Sequence, residues 1–318
     1  MKLLTLAALF VSVISLSHAQ TYPTKTVRII VGLAPGGTTD VFTRTLAQRL
    51  TEAWGQTVIV ENRPGASGMI GAEAVAKAAP DGYTLLVSPQ TSLAVAPALY
   101  GKAPYDTAKD FAPVSLLGST PLVMIVHPSF PAKSFAEFVA LAKKGTPLTY
   151  GSGGVGSSPH MTGELLSAAL GVKMNHVPYK GENPAIADTI GGQIPIMFGN
   201  LPVALPHVRS GRVVALATTT AQRSPLAPEI PTMSEGGIKD FEMATWYGML
   251  APAGTPPELV QKIQRDAARV LSDAQTRDRL TQMGVDLILN TPEEFRTYLN
   301  AEIARYTKII KSAGLKAE

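Results

Sequence analysis

Cysteine is absent from this 318-residue chain. We therefore expect no disulfide bond, no thiolate nucleophile, no cysteine ligand for a metal and no N-terminal cysteine that could carry a lipid. Aromatic residues make up only 6% of the chain, and no run of five like charges occurs. Because nucleic-acid binding depends on clustered basic residues, often with stacking aromatics, we predict no nucleic-acid partner.

Histidine is scarce as well. Beyond the N-terminal segment, His127, His160, His176 and His207 follow no H-E-x-x-H or other close ligand spacing. Paired carboxylates such as Glu293–Glu294 stand at the predicted start of a helix, where they favour the helix dipole. We therefore predict no metal site, no cofactor and no catalytic residue.

A long apolar run occurs only at the N-terminus. Lys2 is followed by the apolar segment Leu3–Leu16 and by small residues that end at Ala19, which is the arrangement of a secretory signal peptide. No later run reaches the roughly 20 residues that a membrane-spanning helix needs. We predict a signal peptide at residues 1–19, cleavage after Ala19, and a monomeric protein in the periplasm.

Apolar strand-like runs alternate with helical patterns along most of the chain. Runs such as Val27–Val31 are rich in Val and Ile without polar interruption, as is typical of parallel strands buried on both faces. The alternation therefore predicts an α/β fold. In the C-terminal part we predict three further helices, at Pro257–Leu271, Asp273–Met283 and Pro292–Lys311, and the last of them has apolar residues near helical spacing.

Two extended stretches interrupt this alternation. Phe111–Pro128 is one long extended run, and Val213–Thr220 leads into a proline-rich segment. We interpret both as crossings between two lobes. The predicted division places residues 20–120 and 221–318 in lobe I and residues 121–220 in lobe II.

Two glycine-rich loops stand between a strand and a helix. A helix begins with about four N–H groups that lack intrahelical partners, and its dipole adds a partial positive charge there. An anion therefore gains hydrogen bonds at such an end without a dedicated cation. We predict that the two loops grip one carboxylate from opposite sides. The predicted residues are Pro35, Gly36, Gly37, Thr38, Thr39 and Asp40 in the first loop and Ser152, Gly153, Gly156, Ser157 and Ser158 in the second.

Each loop has alternative interpretations. Either one fits a helix cap or a tight turn of the kind that α/β proteins have in general. Gly151–Gly156 matches G-x-G-x-x-G, but the acidic residue that a dinucleotide site needs about 20 positions later is missing, since the next one is Glu182 beyond the following strand. Ser157 and His160 could begin a hydrolase site, although no G-x-S-x-G motif accompanies them. We predict that His160 contacts the ligand in the cleft.

Polar residues at the ends of other strands extend the predicted site. Gln90 and Thr91 follow one apolar run, Tyr179 follows another, and Asn200 follows a third. Ligands of α/β proteins favour the carboxyl ends of strands, so we add these four residues to the predicted contacts.

An ordered series of motifs extends over essentially all of the chain after residue 19. The series includes APGGTTDVFTR, VENRPGASGMIGAEAVAKAAPDGYTLL, GSGGVGSSPHMTGELL, HVPYKGENPAIADTIGGQIPIMF and GMLAPAGTPPELVQKI. It resembles the substrate-binding proteins of tripartite tricarboxylate transporters, also called Bug proteins, of Gram-negative periplasms. The resemblance implies a type II periplasmic-binding-protein fold, in which two α/β lobes joined by two crossings close on a cleft. It also implies a small carboxylate ligand and an integral-membrane permease as partners.

One departure from the family pattern bears on the ligand. Gly199 stands where many members have Asp, and the missing negative charge disfavours a ligand with an ammonium group. We therefore expect a mono- or dicarboxylate or an aromatic acid. The leading hypothesis is a receptor, not an enzyme, that delivers this ligand to a permease. An exported hydrolase or a periplasmic sensor using the same cleft are the alternatives.

Overall fold

The computed structural model describes residues 22–315. The predicted signal peptide, residues 1–19, lies outside the described residues. Among residues 22–315, no helix is both long enough and apolar enough to cross a membrane.

The first part of the chain alternates strands and helices, as the apolar pattern predicts. Its elements are β1 (Val27–Val31), α1 (Thr38–Trp54), β2 (Val58–Asn62), α2 (Met69–Ala76), β3 (Thr84–Pro89) and α3 (Ala96–Tyr100). Strand β1 pairs in parallel with both β2 and β3. A π-helical turn, Thr91–Val95, joins β3 to α3. The apolar residues of β1 are buried between the helices on the two faces of this sheet.

A 16-residue strand, β4 (Phe111–Val126), leads into the second part of the chain. The elements that follow are α4 (Phe135–Lys143), β5 (Leu148–Ser152), α5 (Ser158–Leu170), β6 (Met174–Pro178), α6 (Glu182–Ile190), β7 (Ile196–Asn200), α7 (Leu201–Arg209) and β8 (Val214–Thr218). Strand β5 pairs in parallel with β6 and β7, while β7 and β8 flank β4 antiparallel.

The C-terminal part returns to the first sheet. Its elements are β9 (Ala244–Pro252), α8 (Pro257–Leu271), α9 (Ala274–Gln282), β10 (Asp286–Leu287) and α10 (Pro292–Ala313). Strand β9 lies antiparallel between β3 and β4. The three helices predicted for this part of the chain are confirmed, with ends that differ by no more than two residues.

Strand β4 belongs to both sheets. Its residues Phe111–Pro121 pair with β9, whereas Leu122–Val126 pair with β7 and β8. The chain returns beside this point, because the Thr219 N–H donates to the Leu122 carbonyl at 3.0 Å and the Thr219 carbonyl accepts from Met243 at 2.9 Å. The molecule thus has two α/β lobes joined by two crossings. The residue limits predicted for the lobes, at 120/121 and 220/221, stay predictions.

Helix α10 packs against both lobes. Phe295 lies in an apolar cluster with Trp246 of β9, and Ile310 lies in a second cluster with Phe198 of β7. The helix has 22 residues, which at about 1.5 Å per residue gives a length of roughly 33 Å. This length carries it across the lobe junction on the side of the crossings, so the two lobes share part of their apolar core.

Candidate functional site

A cleft of about 520 Å³ lies between the two lobes. The first turns of four helices line it, with α1 on one side and α5, α6 and α7 on the other. Further lining residues come from the ends of β3 and β9. Since each helix start presents N–H groups and a partial positive charge, the cleft concentrates the features that bind an anion.

The loop before α1 is held in shape by the buried carboxylate of Asp40. Its Oδ2 accepts from the Gly36 N–H at 2.9 Å and from Arg44 Nε at 3.0 Å, and its Oδ1 accepts from Asn62 at 2.9 Å. Burial alone would raise the pKa of Asp40, but these hydrogen bonds outweigh burial and hold the pKa below its usual value. Asp40 therefore lines the cleft as an ionised brace whose charge Arg44 balances.

The start of α1 has free amides. The N-cap residue Gly37 makes no side-chain capping bond. The N–H groups of Gly37, Thr38 and Thr39 donate to no acceptor in the described part of the chain. These donors belong to residues that line the cleft, so a carboxylate in the cleft can accept from them.

The loop before α5 is held by its own side chains. The Ser157 hydroxyl donates to the Gly154 carbonyl at 2.7 Å and accepts from the His160 N–H at 3.3 Å, which caps α5. His160 Nδ1 accepts from the Gly156 N–H at 3.0 Å. These polar groups are thus engaged inside the loop, and the surfaces of Ser157, Ser158 and Pro159 line the cleft.

Two stacked histidines support this loop from behind. The rings of His160 and His176 lie 3.9 Å apart and nearly parallel, and His176 Nε2 is 2.7 Å from the Ser152 hydroxyl. Burial lowers the pKa of His160 to about 3, with a contribution from His176, and burial lowers the pKa of His176 to about 4. Both rings are therefore neutral at pH 7 and act as hydrogen-bonding supports.

This histidine pair predicts destabilisation in mild acid. In the unfolded chain this histidine takes up a proton as the pH falls below its ordinary pKa of 6.5, whereas the buried ring of folded His160 stays neutral until about pH 3. The free energy of unfolding therefore falls as the pH drops through this window. At about 1.4 kcal/mol per pKa unit, His160 alone lowers the free energy of unfolding by about 2 kcal/mol at pH 5 relative to pH 7.5. Urea denaturation at the two pH values measures the loss.

The matched variant is His160→Asn, which keeps an acceptor for the Gly156 N–H but does not titrate. The variant is expected to lose about 2 kcal/mol less than the wild type between pH 7.5 and pH 5. Equal losses in both proteins would show that other groups cause the acid sensitivity.

Gln90, which lies between the cleft-lining residues Pro89 and Thr91, connects the two lobes. Its amide nitrogen donates to Ser158 Oγ of α5 at 2.7 Å and to the Ala244 carbonyl of β9 at 2.8 Å, and its oxygen accepts from the Trp246 N–H at 2.9 Å. The side chain is fully buried. Its polar atoms are therefore occupied by protein partners from both lobes.

The structure brings nine of the sixteen predicted site residues to the cleft wall. These are Gly36, Gly37, Thr38, Thr39, Asp40, Thr91, Ser157, Ser158 and Asn200. The other seven lie behind or beside the wall, namely Pro35, Gln90, Ser152, Gly153, Gly156, His160 and Tyr179. Of these, the Tyr179 hydroxyl donates to Asp188 on α6 at 2.7 Å, and Asp188 does not line the cleft.

The start of α6 is the part of the wall that the sequence did not single out. Gly181, Glu182, Asn183 and Pro184 line the cleft. A glycine followed by two polar residues and a proline, a few residues after a strand, is the same kind of strand–loop–helix signal as in the two predicted loops. From β9, Thr245 and Tyr247 also line the cleft.

Glu182 supplies an acidic group at the end of the cleft where Gly199 predicts that one is missing. Its Oε2 accepts from the Asn200 N–H at 3.1 Å and its Oε1 accepts from the Asn200 side-chain amide. The Oε2 atom lies 3.7 Å from the position that a Cβ on Gly199 would occupy. The absence of an acid at residue 199 therefore does not leave this end of the cleft without one. Burial raises the pKa of Glu182 to about 7.

The geometry gives little support to a metal site or to a serine-hydrolase site. No three His, Asp or Glu side chains within residues 22–315 are arranged to hold a metal ion. The hydroxyl of Ser157 is bonded to Gly154 and to the His160 main chain, while the His160 ring accepts from Gly156. The pairing of hydroxyl and imidazole that a serine nucleophile needs is therefore not formed between Ser157 and His160.

Comparison with known proteins agrees with this geometry. Residues 42–315 match the family described as tripartite tricarboxylate transporter family receptor. Protein BugT of Bordetella pertussis is 35% identical over 320 residues, covering 99% of this chain and 98% of BugT.

Solved structures are similar over nearly the same length. Periplasmic binding protein BugD is 34% identical with a TM-score of 0.78, covering 93% of this chain and 100% of BugD. Rpa4515 of R. palustris, solved with adipate, is 35% identical with a TM-score of 0.81, covering 93% of this chain and 99% of that protein. The periplasmic-binding-protein fold implied by the resemblance is confirmed. The chain belongs to the tripartite tricarboxylate transporter receptor family.

Proposed function

We propose that this protein is a periplasmic receptor that closes on a small carboxylate and delivers it, as a monomer, to an integral-membrane permease. The observation that carries the proposal is the convergence of four helix starts on one inter-lobe cleft. The unoccupied amides of Gly37, Thr38 and Thr39 are the donors that we assign to the carboxylate. The other cleft-lining residues of the predicted set form the rest of the contact surface.

The similarity to solved receptors supports the same ligand class. A relative that is 35% identical was solved with adipate, a small carboxylate. A leader-like N-terminal segment and the similarity to the periplasmic binding protein BugD support export to the periplasm.

The two lobes capture a ligand by closing on it from opposite sides of the cleft. A ligand that contacts α1 in lobe I and the helix starts of lobe II makes both sets of contacts only when the lobes are close together. Such a ligand shifts the population towards the closed form by its differential affinity. Lys180, which is exposed at the cleft, adds a positive charge that attracts anions.

Titration calorimetry on the purified protein tests the proposal. The panel holds monocarboxylates, dicarboxylates and aromatic acids, which the sequence favours, together with amino carboxylates. We expect saturable binding of at least one carboxylate and no binding of the matching uncharged amide. Failure of every carboxylate to bind protein that is shown to be folded would overturn the receptor assignment. Turnover of an ester panel that is lost in Ser157→Ala would instead establish the hydrolase alternative.

A further inference from the structure

The carboxylate of Glu182 is held in a fixed position at the lobe II side of the cleft. Both of its oxygens accept hydrogen bonds from Asn200, one from the main chain and one from the side chain. The Asn200 oxygen in turn accepts from the Thr245 hydroxyl of β9 at 2.9 Å. The bond from Thr245 fixes the orientation of the Asn200 side-chain amide, so its nitrogen points at Glu182 Oε1.

Two glycines make room for the Glu182 side chain. A Cβ on Gly153 would lie 3.3 Å from Glu182 Cγ, and a Cβ on Gly199 would lie 3.7 Å from Oε2. The loop before α5 and the end of β7 therefore form a slot around this side chain. An added Cβ on Gly153 would press on the Glu182 side chain, whereas one on Gly199 would meet the carboxylate at ordinary contact distance.

Glu182 forms no salt bridge within the part of the chain that the structure describes. Among residues 22–315, no Lys, Arg or His nitrogen lies within 4.0 Å of the Glu182 oxygens. Asp40, the other acid in the cleft wall, is paired with Arg44. Removing a carboxylate from water without a cation is costly, and closure over a second anion would add repulsion to that cost.

We propose that Glu182 is a specificity-determining residue that binds a cationic nitrogen of the ligand. The ligand class is then the amino carboxylates, with the carboxylate at the α1 amides and the ammonium group at Glu182. This assignment rests on the receptor function proposed above and narrows it. A dicarboxylate of the same length would place its second anion against Glu182 and bind more weakly.

Matched ligand pairs test the assignment by calorimetry at pH 8. Each pair differs only by an ammonium group: L-aspartate and succinate, L-glutamate and glutarate, L-alanine and propionate, and 4-aminobutyrate and butyrate. In the wild type, the amino member of at least one pair is expected to bind more than tenfold tighter than its partner. In Glu182→Gln, which removes the charge and keeps the shape, the difference within that pair is expected to fall below about threefold.

A matched control is Glu293→Gln, which removes an exposed acid from the first turn of α10 outside the cleft. The control is expected to keep the wild-type preference. Equal or tighter binding of the nitrogen-free member in every pair would overturn the proposal, and this comparison needs no variant. Survival of the amino preference in folded Glu182→Gln would also overturn it. Binding of neither member of any pair would overturn the amino-carboxylate assignment alone, whereas failure of the whole carboxylate panel would overturn the receptor function as well.

Discussion

Gly37→Val is expected to weaken ligand binding more than about 100-fold, because a valine side chain would stand in front of the free amides that begin α1. The loss of two hydrogen bonds to a charged carboxylate, at about 1.5–3 kcal/mol each, accounts for this factor. The fold itself has room for the change. Gly37 has an ordinary backbone conformation, with φ −76° and ψ 168°, and an added Cβ would approach only the Ala34 carbonyl, at 4.0 Å. Calorimetry and thermal unfolding of the same samples separate the two effects.

Two further variants control this experiment. Gly37→Ala adds a single methyl group and is expected to weaken binding by a smaller factor. Gly191→Val adds the same side chain at the far end of α6, where φ is also ordinary at −75°, and is expected to leave binding unchanged. If Gly37→Val bound the ligand within about threefold of the wild type, the α1 amides would not be the carboxylate site.

Gln90→Leu is expected to lower the free energy of unfolding by about 3 kcal/mol or more. The substitution keeps an approximate shape but leaves the Trp246 N–H, the Ala244 carbonyl and the Ser158 hydroxyl without their partner. An unsatisfied buried polar group costs about 1–3 kcal/mol, and three are created at once in a fully buried place. Urea denaturation followed by circular dichroism gives the change.

The neighbouring Thr91 offers the control for this prediction. Its side chain lines the cleft and is half-buried, and Thr91→Val is nearly isosteric. This variant is expected to change the free energy of unfolding by less than about 1 kcal/mol. A loss below about 1 kcal/mol in Gln90→Leu would mean that Gln90 does not brace the two lobes.

The parts of the site that could be predicted from sequence are those with a local signal. A strand, a glycine-rich loop and a helix start follow one another within about a dozen residues at Gly36–Thr39 and again at Ser157–Ser158. Because the free N–H groups of a helix belong to its first turn, the chemistry is fixed by the same short segment. Helix α8 was predictable with its limits for a similar reason, since its apolar spacing and Pro257 are local features.

Residue type alone could not separate ligand contacts from internal supports. Gln, Ser and His side chains have donors and acceptors that can bind a ligand or form hydrogen bonds within the protein. Whether Gln90 and Ser152 face the cleft or the protein depends on partners that come from distant segments, such as Ala244 for Gln90 and His176 for Ser152. No spacing within the sequence predicts which residues those partners are.

Glu182 is the converse case, because it lines the cleft although it is not among the site residues predicted from the sequence. Its place in the cleft depends on Asn200 and on two glycines, Gly153 and Gly199, that lie in other elements of lobe II. Considered without its neighbours in the fold, Gly199 indicates that this end of the cleft lacks an acidic residue. In three dimensions it leaves space beside the acid that α6 provides.

A crystal structure of the protein with a bound carboxylate ligand tests most directly whether main-chain donors at helix starts bind the anion. We predict carboxylate oxygens within about 3 Å of the amide nitrogens of Gly37, Thr38 or Thr39, with the lobe II helix starts closing on the rest of the ligand. A carboxylate held only by side chains such as Lys180, with those three amides more than about 4 Å away, would contradict the account.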